Sequence, residues 1–382
     1  MKKKVVSVLL AVLFCASIFT FAGCSSSGSG KDTIKIGFIG PLSGDAAIYG
    51  TSAKAGADLA VKEINAAGGI NGKNIELIAY DSKGDQTEAI NAYNRLRDQD
   101  QVVAVIGGVL SGETLAMKDI MVQDNMPVLS PTATAVDVTA NAPNIFRACF
   151  LDDYQGVAAA NFSTSNLSAK TAAVMICKGN PYSEGVSAAF EGAFTANGGT
   201  IADEESYSAS DKDYSAQLTK IKELNPDVVF VPDYVQIVGP ILQKAKEMGI
   251  TAKFIGADGW DGVQTEYADA AQGNYFTNHY AADSPSETVQ NFIKAYKAAN
   301  SNKDPNSFAA LGYDAVHTMA EAIKSAGSTD SKAIITALNN TNYTGVTGTL
   351  KFDSEGNPKD KEVTIIKIDG GQLKFETTIV NK

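Results

Sequence analysis

The sequence is short of the residues that many functions require. Its 382 residues include four cysteines, two histidines and one tryptophan. Two of the cysteines, Cys15 and Cys24, lie in the apolar N-terminal stretch or directly after it. Cys149 and Cys177 sit in separate apolar segments. This spacing excludes a disulfide scaffold and resembles no zinc site, and it predicts two buried free thiols. His279 and His317 have no partner motif for a serine or cysteine nucleophile, so both read as surface or structural histidines and the chain does not read as an enzyme. There is no Walker A sequence, and Gly37 and Gly40 do not complete the dinucleotide fingerprint, so no cofactor is expected. Positive charge is also scarce. There are 32 basic against 43 acidic residues, a net charge of −11, or −14 once the three lysines of residues 1–23 are set aside. Nucleic acid is therefore excluded as a partner, since phosphate binding needs clustered Lys and Arg.

The N-terminus is where the chain is most apolar. Lys2, Lys3 and Lys4 precede the apolar run Val5–Ala22, followed by Gly23 and Cys24. A charged start, an apolar core and small residues before a cut describe a secretory signal. Phe21-Ala22-Gly23-Cys24 resembles a bacterial lipobox, with Phe21 where Leu is usual. The expectation is a signal peptide over 1–23, lipid on Cys24 and anchorage to the outer face of the cell membrane. The other reading of the run is an uncleaved anchor at the lower edge of spanning length. Residues 24–31, mostly Ser and Gly, have nothing to bury and read as a flexible tether. No later run is long and apolar enough to span a bilayer.

From residue 32 onward, strand and helix patterns alternate. Strands are expected at Ile34–Ile39, Ile75–Ala79, Val102–Ile106 and Met126–Leu129. Helices are expected at Gly50–Ala67, Gln86–Arg97 and from Gly112. The alternation resumes with strands at Thr171–Ile176, Asp227–Val231 and Ala252–Ile255 and helices at Tyr182–Ala196 and Val235–Met248. Repeated strand–helix–strand order predicts parallel sheets covered on both faces, in two α/β blocks near 32–148 and 151–276. Three helical patterns follow (286–299, 307–326 and 331–338), then strands at 348–352, 363–368 and 373–380. The last two strands are joined at Asp369-Gly370-Gly371, a hairpin signal. The acidic runs Asp203-Glu204-Glu205 and Asp211-Lys212-Asp213 read as solvated loop charge.

Several segments in order carry a resemblance. They are Ile36-Gly37-Phe38-Ile39-Gly40-Pro41-Leu42-Ser43-Gly44, Tyr49-Gly50, Ile64 to Gly72, Ala79-Tyr80-Asp81, Val105-Ile106-Gly107-Gly108 and Leu129 to Thr134. In this order and spacing the chain resembles the leucine/isoleucine/valine-binding family, the branched-chain amino acid-binding lipoproteins of ABC transporters. The resemblance covers nearly everything after residue 32. It implies a type I periplasmic-binding fold: two Rossmann-like lobes joined by three hinge strands and closing on a ligand. By analogy, lobe 1 takes 32–148 plus 280–350 and lobe 2 takes 151–276 plus 353–382. The crossings would fall near Phe146–Leu151, Phe276–Ala281 and Lys351–Asp353.

Ligands of open parallel sheets sit beyond the carboxyl ends of the strands. Ser111 follows a strand and opens a helix, where a hydroxyl and free backbone N–H groups form an anion site. It matches the family's carboxylate-binding Ser, although Ser is also an ordinary helix cap. Thr132 and Thr134 lie in the next such loop, and Thr134 matches a family Thr that binds both ends of the ligand. Asp258 follows the strand 252–255, where the family places an acid, often Glu, against the ligand ammonium; an Asp-Gly pair is also an ordinary turn. Tyr49, Tyr182 and Tyr234 match positions that contact or cover the ligand, and Trp260 reads as a wall of the pocket. Some related sequences carry a disulfide where this chain has Gly84 and Leu110, so that loop must be fixed in another way.

The expected function is capture of a small, aliphatic amino acid by a monomer that delivers it to an ABC transporter permease. Alternatives are the same fold binding an amide, urea or an aromatic acid, and a sensory module that presents its closed form to a membrane receptor.

Overall fold

The computed structural model describes residues 33–359 and 361–380. The signal peptide, Cys24 and the tether lie outside the described residues. In the first lobe, β1 (Ile34–Gly40), β2 (Ile75–Asp81), β3 (Ala104–Ile106), β4 (Val128–Ser130) and β5 (Ile145–Arg147) form one parallel sheet in the order β2-β1-β3-β4-β5. The helices between them are α1 (Ala47–Ala66), α2 (Gln86–Arg95) and α3 (Ser111–Gln123). α1 forms because Ala53, Ala57 and Ala60 recur on one face and are fully buried, and it ends at Gly68 and Gly69, both with positive φ. The Asp85 carboxylate caps α2 by accepting the N–H of Glu88.

The second lobe continues with α4 (Asp152–Ser165), β6 (Thr171–Cys177), α5 (Pro181–Ala196), β7 (Thr200–Tyr207), α6 (Ser215–Leu224), β8 (Val228–Phe230), α7 (Val235–Glu247), β9 (Lys253–Gly256), α8 (Val263–Ala271) and β10 (Tyr275–Asn278). The chain then returns to the first lobe as α9 (Glu287–Ala299), α10 (Ser307–Ala326) and α11 (Ser331–Asn339). It ends with the small ribbon β11 (Tyr343–Gly345) and β12 (Gly348–Leu350), and the hairpin β13 (Val363–Asp369) and β14 (Gln372–Ile379). The second sheet runs β14-β13-β10-β9-β8-β6-β7. Its parallel part, read from β7 to β10, repeats the strand order of the first lobe. β13 and β14 add to it antiparallel. Gly370 and Gly371, at φ 61° and 70°, supply the two left-handed positions of the hairpin turn.

Three points differ from the sequence reading. Asp203, Glu204 and Glu205 are not loop residues: they lie in β7, paired in parallel with β6. β7 is an edge strand, and an edge with one solvated face tolerates acids that a central strand would not. The expected strand 348–352 shrinks to the ribbon strand β12, outside both large sheets. α4, α6 and α8 had no clear pattern. The buried face of α4 is mostly small or polar, with Asp152, Gln155, Gly156, Ala158, Ala159, Ala160 and Ser163 all buried. Cys149 and Cys177 are buried free thiols, as expected.

The return to the first lobe is fixed by a close crossing of α1 and α10. A Cβ on Gly56 would come within 1.9 Å of the Ala309 carbonyl oxygen. A Cβ on Gly312 would come within 2.1 Å of the Ala53 carbonyl oxygen. Each helix therefore gives up a side chain where the other's backbone passes. Gly312→Val is expected to destabilise the protein by about 1–3 kcal/mol, the usual range for forced overpacking. Gly192→Ala, at a helical position with open space around it, should leave stability unchanged or slightly raised. Urea unfolding of the two variants checks both.

Candidate functional site

The site forms where the carboxyl ends of the two sheets face each other. From the first lobe come the loop after β3 and the loop after β4. From the second come the loops after β6, β8 and β9. Val109, Leu110, Ser111, Thr132 and Thr134 on one side, and Tyr182, Tyr234, Asp258 and Gly259 on the other, line a cavity closed further by Phe308 of α10. The cavity volume is only about 10 Å³, so the two walls stand nearly in contact. A wider cleft borders the cavity, sharing Leu110 and Tyr234 with it and reaching Gly84 and Asn180.

Six of the eight residues singled out from the sequence therefore line one cavity. Ser111 is the first residue of α3, not its cap; its hydroxyl accepts the N–H of Ala135. The cap is made by Glu113, whose carboxylate accepts the N–H groups of Val109 and Leu110 and the hydroxyl of Ser82. Burial pushes the Glu113 pKa up, against the opposing pull of these donors. Glu113 thus fixes the loop for which some relatives use a disulfide. Gly84 and Leu110 are indeed neighbours, since a Cβ on Gly84 would lie 3.6 Å from a Leu110 methyl.

The loop after β4 is braced in the same manner. Thr132 donates its hydroxyl to the Val109 carbonyl, and Ser130 donates to that of Gly108. Arg147, fully buried, donates to the carbonyls of Ala133, Ala135 and Val136 and to the Thr139 hydroxyl. It thereby holds the backbone on both sides of Thr134. A buried guanidinium surrounded by carbonyl oxygens needs no carboxylate partner at contact distance.

In the second lobe, the Tyr182 hydroxyl donates to Asp258 Oδ1 at 2.8 Å and accepts the N–H of Gly259 at 2.9 Å. The Tyr182 ring stacks on Tyr234, with centroids 5.2 Å apart. Asp233 anchors both loops by accepting the Tyr234 N–H, the Tyr207 hydroxyl and the Asn180 amide. Burial pushes its pKa up to about 6 against those donors. Asp258 itself is 2% exposed.

Two expected residues lie elsewhere. The Trp260 indole does not line the cavity. It lies flat on Gly256, where any Cβ would strike the ring, and its Nε1 donates to the Val231 carbonyl. Its apolar bulk is better satisfied in the core of the lobe than at a polar strand end. Tyr49 stands behind the cavity rather than on its wall. Its ring packs on Tyr234 and Phe308, and its hydroxyl spans the lobes, donating to the Gly259 carbonyl and accepting the Val235 N–H, both at 2.7 Å. A second cross-lobe bond joins the Ser307 N–H, at the start of α10, to Asp261.

The sequence reading missed Phe308, Arg147, Asp233, Asp152 and His279. Phe308 comes from α10, far along the chain from β3 and β4, and no local signal marks it. Asp152 is fully buried, and burial pushes its pKa up to about 8, with Asp258 adding in the same direction and Thr134 and Gln155 opposing. Among the described residues, no group of three or more His, Cys, Asp or Glu side chains is arranged to hold a metal ion.

Hydroxyls and a helix N-terminus on one wall, a carboxylate on the other and two lobes that meet at one cavity fit a two-lobed solute-binding protein. Comparison with known proteins agrees: residues 33–372 match the periplasmic binding protein family, and the chain belongs to that family. It is 33% identical over 360 residues to a leucine-, isoleucine-, valine-, threonine- and alanine-binding protein of Pseudomonas aeruginosa, covering 93% of this chain and 95% of that one. Among solved structures it is similar to the leucine binding protein LivK of Thermotoga maritima (31% identity, TM-score 0.86, 91% of this chain and 99% of that chain). It is also similar to the branched-chain amino acid transporter substrate-binding protein LivJ of Streptococcus pneumoniae, solved with isoleucine (36% identity, TM-score 0.85, 92% and 99%). It is thus a solute-binding protein of the ABC transporter type, and its family implies an extracytoplasmic location. Among the described residues no helix is long and apolar enough to cross a membrane.

Two outcomes test this geometry. Tyr49→Phe removes the hydroxyl that bridges the lobes and leaves two buried backbone groups unpaired in the closed form, a cost of about 1–3 kcal/mol. Small-angle scattering of the unliganded variant should show a larger open population than the wild type. Asp152 has a folded-state pKa raised above its unfolded value, so the folded chain keeps a proton that the unfolded chain releases. Its contribution falls as pH rises from about 4 through about 8. In Asp152→Asn, urea unfolding should show a smaller loss of stability across that range.

Proposed function

We propose that this protein captures a small, aliphatic amino acid between its lobes and delivers it to the permease of an ABC importer. One observation carries the reading: the cavity has opposite poles on opposite lobes. Ser111 and Thr134 offer hydroxyls, and Thr132 and the start of α3 offer backbone N–H groups, suited to a carboxylate. Asp258 offers a carboxylate suited to an ammonium. Val109, Leu110 and Phe308 leave an apolar corner for a short side chain. A zwitterion would complete both halves at once, and binding would favour the closed form because each end is held by a different lobe. The lobes would move about crossings near Phe146–Leu151, Phe276–Ala281 and Lys351–Asp353. The ligands of the similar proteins, leucine and isoleucine among them, support the same class. The protein acts as a binder and not as an enzyme in this reading, as a monomer held to the membrane by lipid on Cys24.

Calorimetric titration with a panel of amino acids tests it. Leucine, isoleucine, valine, threonine or alanine should bind in a 1:1 complex. Ser111→Ala and Asp258→Asn should each weaken that complex by about 1–3 kcal/mol, the range for removing one partner of a charged hydrogen bond. Wild-type affinity in both variants would remove the site, and binding of amides but not amino acids would transfer the function to a ligand without an ammonium.

A further inference from the structure

Asp258 is held from behind as well as from the cavity. His279, 4% exposed, stands on the crossover that follows β10. Its Nε2 lies 3.1 Å from Asp258 Oδ2. Its ring stacks on Phe150 of the first crossover, with centroids 3.7 Å apart and planes 21° apart. Its Nδ1 is buried without a hydrogen-bond partner. The Asp258 N–H donates to Gln155 Oε1, which also accepts the Thr277 hydroxyl. Gln155 belongs to α4, which starts directly after the first crossover. The acid at the cavity wall is therefore fastened to one side chain on a crossover, His279, and to one directly after another crossover, Gln155.

The chemistry of the contact fixes the imidazole's state. An ionised carboxylate only accepts hydrogen bonds, and a neutral imidazole carries one N–H. The proton must therefore sit on Nε2, which leaves Nδ1 as the bare nitrogen, in agreement with its lack of a partner. An imidazolium would bury a second, unsatisfied N–H. Burial pushes the His279 pKa down, Asp258 raises it, and Lys361 lowers it further. Those are the charged groups that bear on the ring; Phe150 brings none. Asp152, Asp261, Cys149, Tyr49, Tyr182 and Tyr234 are the titratable groups that bear on Asp258 from the other sides.

We infer that His279 is a positioning residue for solute binding: as a neutral Nε2–H donor packed on Phe150 it fixes the Asp258 carboxylate against the cavity, and in its protonated form it competes with the solute's ammonium for that carboxylate. The inference rests on the reading of Asp258 as the ammonium acceptor. Its consequence is a coupling between solute and proton. A cation already paired with Asp258 makes a second one on His279 unfavourable, so solute binding disfavours protonation. By reciprocity, protonation weakens binding. Affinity should then fall on the acid side, where His279 takes up its proton.

Calorimetry on the full chain, with whichever of leucine, isoleucine, valine and alanine the wild type binds most tightly, tests this from pH 4.5 to 8. His279→Gln places an amide N–H near the position of Nε2 but does not titrate. His279→Phe keeps the ring stack and removes the donor. At pH 7.5, His279→Phe should bind about tenfold more weakly, and His279→Gln within about threefold of the wild type. The acid-side loss of affinity should be present in the wild type and flattened in His279→Gln. Equal affinities for His279→Phe and the wild type, or the same acid-side loss in His279→Gln, would overturn the assignment. A second measurement does not depend on solute or on the variants' folding. With only two histidines, nitrogen-15 spectra of the wild type should show one buried ring as the Nε2–H tautomer, and an Nδ1–H form would equally overturn it. If the wild type binds none of these four and not threonine either, the amino-acid reading fails by itself, and the ring tautomer still decides whether His279 donates to Asp258.

Discussion

A carboxylate enclosed with almost no water must be given hydrogen-bond donors or lose its charge. Asp258 meets that condition from two sides, with Tyr182 on one oxygen and His279 on the other, while Gln155 holds its backbone by accepting the Asp258 N–H. The rest of the site follows from it. A fixed negative group on one wall calls for a guest with a positive end. The facing wall, built of hydroxyls and a helix N-terminus, suits the negative end of the same molecule. A tether from Asp258 to residues beside the crossovers also means that the acid cannot be displaced without disturbing the strands about which the lobes would swing.

The same constraint explains why so many buried polar groups lie just behind the cavity. Site loops leave the sheets at their polar carboxyl ends, where apolar packing cannot hold them. Glu113 gathers two backbone N–H groups of the loop after β3, Arg147 gathers three carbonyls of the loop after β4, and Asp233 ties the loops that carry Tyr182 and Tyr234. Each is a charged side chain used as a multi-dentate clamp on backbone, and removing one would leave several buried groups unpaired. Glu113 in particular does with hydrogen bonds what a covalent bridge does in some relatives. A loop fixed this way is independent of the redox state outside the cell.

The two lobes repeat one strand order, and their contributions remain chemically distinct. The first gives mainly donors and the second gives the acid. Tyr49 and Asp261 cross between them with hydrogen bonds that exist only while the lobes are together. In the proposed closure on a solute these bonds would belong to the closed arrangement, and a guest would supply only the remaining difference in free energy between the two forms.

Much of this was legible in the sequence. Alternating strand and helix patterns are set by local periodicity, so β1, β2, β6 and their helices were placed within a few residues. Loops after parallel strands must gather at one edge of their sheet, which groups Ser111, Thr132 and Thr134, and separately Tyr182, Tyr234 and Asp258; that the two groups face each other is what the family resemblance implied. What local pattern could not carry was which neighbour each side chain meets. β7 looked like a loop because an edge strand exposes a face that can bear acids, and α4 looked like nothing because small and polar residues bury well only against a surface that the sequence does not display. Trp260, two residues from Asp258, turns into the core of the lobe. Phe308 reaches the site from a helix that follows the return to the first lobe, and His279 from the crossover itself. Residue type and spacing determined the chemistry available at the cleft. Long-range packing alone decided which groups hold Asp258, because proximity across a folded chain is not encoded by distance along it.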